Sequence, residues 1–220
     1  MDVKARFCVC IPILSASLFV YVVLAGHYTS YWNDDCLLSA QNLKNLRKAV
    51  FAVAEIYQQY NQTYWLDFGT LLGAYRSGDI LPHDGDADIS RLIPQEYSSQ
   101  KEYQFMETVS REIQAKIGGI VHKQRYLFYK GVYVDLCRWE LDGSGNIYRH
   151  IAGQPQYTQI RRHIPTEDYQ LSWYVPVVDI EFAGKRIAAP RNTTAVLIRH
   201  YGNNFRTPVP FKWKCYFTFS

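Results

Sequence analysis

The stretch from Tyr64 to Ile89 constrains the fold more than any other part of this chain. A β-branched and aromatic run, Thr63 to Phe68, reads as a buried strand. It ends at Gly69-Thr70, a corner from which Thr70 to Tyr75 makes one or two helical turns. A loop with Gly78 and Pro82 follows, and Asp86 to Leu92 reads as a second strand. A strand that turns at glycine into a helix offers backbone N–H groups to a phosphate. Asp86 and Asp88 stand two apart on the second strand, so both side chains leave one face. Their backbones are ~6.6 Å apart at ~3.3 Å per residue. Carboxylates that close repel each other, and one is driven towards protonation unless a cation lies between them. Oxygen ligands at this spacing suit Mg²⁺ or Mn²⁺, which prefer carboxylate, water and substrate phosphate. Asp84, just before Gly85, is expected to be a loop carboxylate at the rim.

An isolated Asp-x-Asp is weak evidence, because acidic pairs are usually solvated surface. A third carboxylate strengthens it. Asp135 lies within Val132-Tyr-Val-Asp-Leu-Cys137, flanked on both sides by apolar residues. A strand built for burial keeps a charge only when that charge is paired or binds a metal. A buried ion pair from Asp135 to Arg76 or Lys130 is the competing reading.

Elsewhere, Leu43, Leu46, Val50, Val53 and Tyr57 recur in steps of three and four, so Cys36 to Tyr60 reads as an amphipathic helix. Pro94 is expected to open a second long helix that runs to Ile117 and stops at Gly118-Gly119. Tyr126 to Trp139 reads as two strands joined near Lys130-Gly131, and Asp142 to Asn146 as a turn. Val177–Phe182 and Lys185–Ala189 read as a hairpin through Ala183-Gly184, and Asn192–His200 as a helix capped by Gly202. The expected fold class is α+β, a mixed sheet flanked by helices, without repeats or low-complexity segments.

The start of the chain differs in kind. Phe7 to Gly26 carries no charge and is long enough to cross a bilayer as a helix, which takes ~20 residues. Lys4 and Arg6 precede it, so the positive-inside rule places residues 1–6 in the cytosol and the remainder in the lumen. The expected organisation is a cytosolic stub (1–6), a transmembrane signal anchor (7–26), a short stem (27–36) and a lumenal domain (37–220). A cleaved signal peptide is the competing reading, and both export the domain. The sequons at Asn61 and Asn192 agree with export as candidate glycosylation sites, although Asn192 also suits a helix cap. Of five cysteines, Cys8 and Cys10 fall in the anchor, which leaves Cys36, Cys137 and Cys215 for one bridge or for buried thiols. The net charge of +4 is scattered rather than clustered, so no nucleic-acid partner is expected. Oligomeric state is not legible.

Gly69, Thr70, Leu71, Leu72, Gly73 and Arg76, followed by Gly78, Ile80, Pro82, Asp84, Asp86 and Asp88, resemble the signature of the LicD family, which includes fukutin and fukutin-related protein. Val134-Asp135-Leu136, Pro190 with Asn192, and Tyr201-Gly202 resemble its later elements. His83 stands where that family usually has Trp, and Phe68 where a small residue is more usual.

The resemblance implies a polymerase-β-like nucleotidyltransferase fold. It also implies Asp86, Asp88 and Asp135 as catalytic metal ligands, with Gly69, Thr70, Arg76, His83 and Asp84 in substrate binding. It implies transfer of a phosphate-linked alcohol, phosphocholine or ribitol phosphate in kind, from a CDP-activated donor to a glycan hydroxyl. Such an enzyme would be a type II membrane protein of the secretory pathway, in the Golgi or the ER. Two other readings stay open: an Asp-x-Asp glycosyltransferase using a nucleotide sugar, and a catalytically silent glycan-binding protein of the same fold. The nucleotide released separates the first from CDP chemistry.

Overall fold

The computed structural model describes residues 37–142, 144–150 and 169–207. Helix α1 (Ala40–Gln59) starts later than its apolar spacing predicts, because the Ser39 hydroxyl accepts the Asn42 N–H at 3.1 Å and sets the first turn. Leu46, Val50, Val53 and Tyr57 on its apolar stripe are fully buried, each such side chain contributing ~1.5–3 kcal/mol. Strand β1 (Tyr64–Leu66) is shorter than expected. Asp67 ends it by capping α2 (Phe68–Ser77), with its carboxylate accepting the Phe68 N–H at 3.0 Å. Phe68 is therefore helical, not the end of a strand, and sits at a left-handed φ of 42°. Gly78, at φ 70°, closes α2.

Strand β2 (Asp86–Leu92) has the expected bounds. Helix α3 (Ser99–Ile117) does not begin at Pro94, because Ser98 caps it, accepting the Lys101 N–H at 3.2 Å. It stops at Gly118, φ 72°, as expected. Next come β3 (Ile120–His122), β4 (Tyr126–Tyr129), β5 (Val132–Leu141), β6 (Asn146–His150) and β7 (Tyr169–Gln170). Lys130 and Gly131 make the expected turn between β4 and β5 with positive φ. The short α4 (Leu171–Tyr174) leads to a hairpin of β8 (Val178–Phe182) and β9 (Lys185–Ala189), then α5 (Thr193–Tyr201) and a 3₁₀ turn at Asn203–Arg206.

The main sheet is mixed, in the order β1-β2-β5-β4-β3, with β6 beside the second half of β5 and β7 beside β6. Among the described strands only β2 and β5 pair in parallel, so the connection between them must cross over, and α3, β3 and β4 supply it. Their register pairs Asp88 with Asp135 and Arg91 with Arg138. Odd steps along a strand change face, so the acidic pair and the arginine pair look out of opposite sides. Helix α1 packs on β2, β4 and β5, with α3 against it, and covers the side of Ile89, Arg91, Val134 and Leu136. On the other side Trp65 and Trp139 are buried against Tyr174, at ring distances of 5.0 and 5.9 Å.

Among the described residues no helix is long and apolar enough to cross a membrane. The expected anchor at 7–26, stub at 1–6 and stem at 27–36, with Cys36 and Cys215, lie outside the described residues.

Candidate functional site

The acids expected to act together do share one face of the parallel pair. Asp88 and Asp135 are register partners, and with Cys137 they place potential ligand atoms within 4.8 Å of one another. Asp86 lies on the same face at the exposed start of β2, opposite Tyr133, and is not in that close set. Burial, followed by the charges of Asp67, Asp135, Asp86 and Asp84, pushes the Asp88 carboxyl up to about 8. Burial also raises Asp135, against the opposing pull of Arg149. No salt bridge to Asp88 or Asp135 occurs among the described residues, so the expected alternative of an ion pair with Arg76 or Lys130 is not realised. Arg76 instead donates to the backbone carbonyls of Phe205 and Thr207. Lys130 sits over the Tyr129 ring, 5.6 Å from its centroid.

Crowded, partly buried carboxylates with no salt bridge among the described residues suit a divalent metal ion. The two carboxylates form a hard-oxygen set. The Cys137 thiol is held neutral by burial, and its sulfur accepts the Arg149 Nη2 at 3.0 Å.

The Gly69-Thr70 corner meets this cluster directly. The Thr70 hydroxyl oxygen is buried and accepts the Asp88 backbone N–H at 2.7 Å, so the corner holds β2 in place from below. A side chain at Gly69 would land on the Asp84 carboxylate. Asp84 therefore folds over the corner, and glycine is needed for that approach. His83 and Asp84 are both half-buried in the loop before β2 and make contacts of their own. Asn61 is exposed at φ 51° in the turn after α1. Asn192 caps α5, accepting the Ala195 N–H at 3.1 Å.

Three contributors were not anticipated from the sequence. Asp67 is fully buried beneath the cluster, accepting Trp65 Nε1 at 3.2 Å and the Ser90 hydroxyl at 2.6 Å. His200 Nε2 lies 3.1 Å from its other oxygen, and the imidazole stacks on Phe68 with ring centroids 4.5 Å apart. Arg149, on β6, is exposed on the acid face and its guanidinium lies 5.1 Å over the Phe68 ring. The Trp-Leu-Asp-Phe run did carry a signal for Asp67, an acid just before a Gly-Thr helix start, which is an N-cap pattern. Beyond Asp135, Tyr126, Phe128 and the exposed Tyr133 continue the same face as adjoining rings, 5.7 Å and 5.1 Å apart through Tyr133.

The sequence model described as LicD/FKTN/FKRP, nucleotidyltransferase domain, matches residues 61–192. The ribitol 5-phosphate transferases FKRP of Mus musculus and Homo sapiens are each 28% identical over 188 residues, 80% of this chain. The chain spans 34% of the length of those relatives. Among solved structures, the solution structure of the antibiotic-resistance factor ANT(2'')-Ia gives a TM-score of 0.41 at 13% identity, covering 76% of this chain and 77% of the other. The crystal structure of ANT(2'')-Ia with adenylyl-2''-tobramycin gives 0.41 at 13% identity, covering 73% and 77%.

Proposed function

Because this chain belongs to the LicD/FKTN/FKRP nucleotidyltransferase family, we propose that it transfers a phosphate-linked alcohol, ribitol phosphate or phosphocholine in kind, from a CDP-activated donor to a glycan hydroxyl. The observation that carries this reading is the Asp88–Asp135 register pair, whose ligand atoms converge with no salt-bridge partner among the described residues. Asp88 and Asp135 would hold a Mg²⁺ or Mn²⁺ ion, with Asp86 completing the set from the exposed end of β2. When bound, that ion supplies charge neutralisation at the donor diphosphate and the leaving nucleotide.

The chain's own groups do the rest. Thr70 fixes the Asp88 backbone, and Gly69 admits Asp84 against the corner. Arg149 would face the donor phosphate, because its guanidinium lies beside the acids, while Arg76, expected in substrate binding, braces the chain at Phe205. Asp135, its carboxyl raised by burial, is placed to accept the acceptor hydroxyl's proton. Tyr126, Phe128 and Tyr133 offer an aromatic surface beside it for the acceptor's sugar rings. The lumenal, type II placement in the Golgi or ER is part of the same proposal, resting on Phe7–Gly26, and protease treatment of sealed microsomes should spare the domain.

The test is nucleotide release by the purified domain from a panel of CDP-, UDP- and GDP-linked donors with Mg²⁺ or Mn²⁺. CMP is expected. UDP or GDP would make the chain a nucleotide-sugar glycosyltransferase. No release from any donor, with no metal-induced rise in melting temperature, would make it a silent glycan-binding protein.

A further inference from the structure

The corner beneath the acids holds a backbone conformation that needs support. Phe68 has a φ of 42°, a left-handed value that is uncommon for a bulky aromatic residue. Such strain persists only where the surrounding structure over-determines it, and it gathers at functional sites. Phe68 stands immediately before Gly69-Thr70, and the Thr70 hydroxyl oxygen accepts the Asp88 N–H at 2.7 Å. The conformation of one residue is thereby passed to the backbone of a proposed metal ligand.

His200 grips Phe68 in two ways. The Phe68 N–H donates to Asp67 Oδ1 at 3.0 Å, and His200 Nε2 lies 3.1 Å from the same oxygen. Because that oxygen accepts the Phe68 N–H, the facing imidazole nitrogen carries the hydrogen and donates as well. The imidazole also stacks on the Phe68 ring, 4.5 Å between centroids. The other Asp67 oxygen takes Trp65 Nε1–H and the Ser90 hydroxyl, and Ser90 Oγ in turn accepts Trp139 Nε1–H at 3.0 Å. Trp65, Phe68 and Ser90 all belong to the β1–α2–β2 unit, whereas His200 arrives from α5, 133 positions along the chain. Its side chain is only 4% exposed, and its Nδ1 lies 3.5 Å from the Tyr169 hydroxyl of β7. A buried acceptor that loses its donor cannot turn to water instead. We infer that His200 is a positioning residue: by donating to Asp67 it locks the strained corner, and through Thr70 it fixes the Asp88 backbone.

The catalytic consequence rests on the proposed transferase reading, whereas amide hydrogen exchange, followed by NMR, tests the positioning with neither donor nor metal present. His200→Phe keeps a ring against Phe68 and removes the N–H. His200→Gln keeps an amide N–H at the reach of Nε2 and removes the ring. In His200→Phe the Phe68 and Asp88 amides should accelerate ~10-fold more than those of Val50 and Val53 in α1, because the opening is local to the corner. His200→Gln should bring both back to within about threefold of wild type. Tyr103→Ala, on α3 at a position 58% exposed, should change neither. With the best donor, His200→Phe should lower kcat ~10-fold or more with little change in donor KM, and His200→Gln should recover most of it. His200→Asn, whose shorter amide falls short of Asp67, takes the place of His200→Phe if that variant does not fold. The role is overturned if the Asp88 amide accelerates no more than those of α1, if His200→Gln restores nothing, or if His200→Phe keeps the wild-type kcat. Selective exchange in a chain that releases no nucleotide would keep the positioning while removing the transferase.

Discussion

Two like-charged pairs face each other across the same two strands, and the protein treats them in opposite ways. On one face Arg91 and Arg138 are register partners, and the chain supplies their counterion, the buried Glu102 from α3. On the other face Asp88 and Asp135 are register partners, and no lysine or arginine among the described residues forms a salt bridge to them. Arg149 comes near and donates a hydrogen bond to Cys137, and its charge does not keep Asp88 from rising to about 8. One pair is finished by folding and is structural. The other has no salt-bridge partner among the described residues, and we read that incompleteness as the mark of a functional site.

The largest effect should come from breaking the finished pair. Glu102→Ala leaves two buried guanidinium groups uncompensated, and loss of one partner of a buried ion pair costs about 3–5 kcal/mol. Urea denaturation should show that loss, whereas Asp88→Asn in metal-free buffer should cost nothing or stabilise slightly. Equal losses in the two variants would erase the contrast between the faces.

Activity should invert that order. Asp88→Asn keeps the side chain's shape but removes an anionic ligand, and should lower turnover of the best donor by at least ~100-fold. Asp84→Asn, at the corner, should cost less. Wild-type turnover in Asp88→Asn would falsify the metal mechanism.

The faces also differ in their response to pH. Asp88 binds its proton below about 8 when folded, but only below its ordinary value of 3.8 when unfolded. Between those values the folded state holds more protons, so metal-free stability should be greatest at the acid end and fall as pH rises towards 8, by up to a few kcal/mol on the order of magnitude set by linkage. Melting curves at pH 5, 6, 7 and 8 check this, and Asp88→Asn should flatten the trend. A wild-type trend that survives in Asp88→Asn would assign it to another group.

The smallest predicted difference separates two arginines. Arg76→Ala should lower stability by about 1–3 kcal/mol, because its charged hydrogen bonds to backbone carbonyls are lost, with little change in donor KM. Arg149→Ala should raise donor KM with little change in stability. The reverse pattern would restore Arg76 to the phosphate.

How much of this was legible depended on whether the signal was local. The β2 strand and its same-face acids followed from alternation alone, and Asp135 from its apolar flanks. The turn at Lys130-Gly131 and the stop at Gly118 followed from glycine chemistry. The start of α3 lies at the Ser98 cap and not at Pro94, because a serine that can cap the third following N–H is the stronger signal. Asp67 was hidden inside a run that reads as strand, and its cap role ended that strand early. His200 and Arg149 were out of reach, since nothing near them in sequence says that they meet Phe68 and the acids through long-range packing. The partners of Arg76 were out of reach for the same reason, because they lie far along the chain at Phe205 and Thr207.

The central claim, that the acid pair waits for a cation which the fold withholds, is tested most directly by Mn²⁺ titration of the metal-free domain at pH 8, followed by calorimetry and by melting temperature. Wild type should bind and, at a hundredfold excess over Kd, gain ~2.7 kcal/mol, a shift of ~5–11 °C for a domain of this size. Asp88→Asn should lose both the heat and the shift, while Tyr103→Ala on the opposite face keeps them. No binding by wild type, or equal binding by Asp88→Asn, would contradict the account.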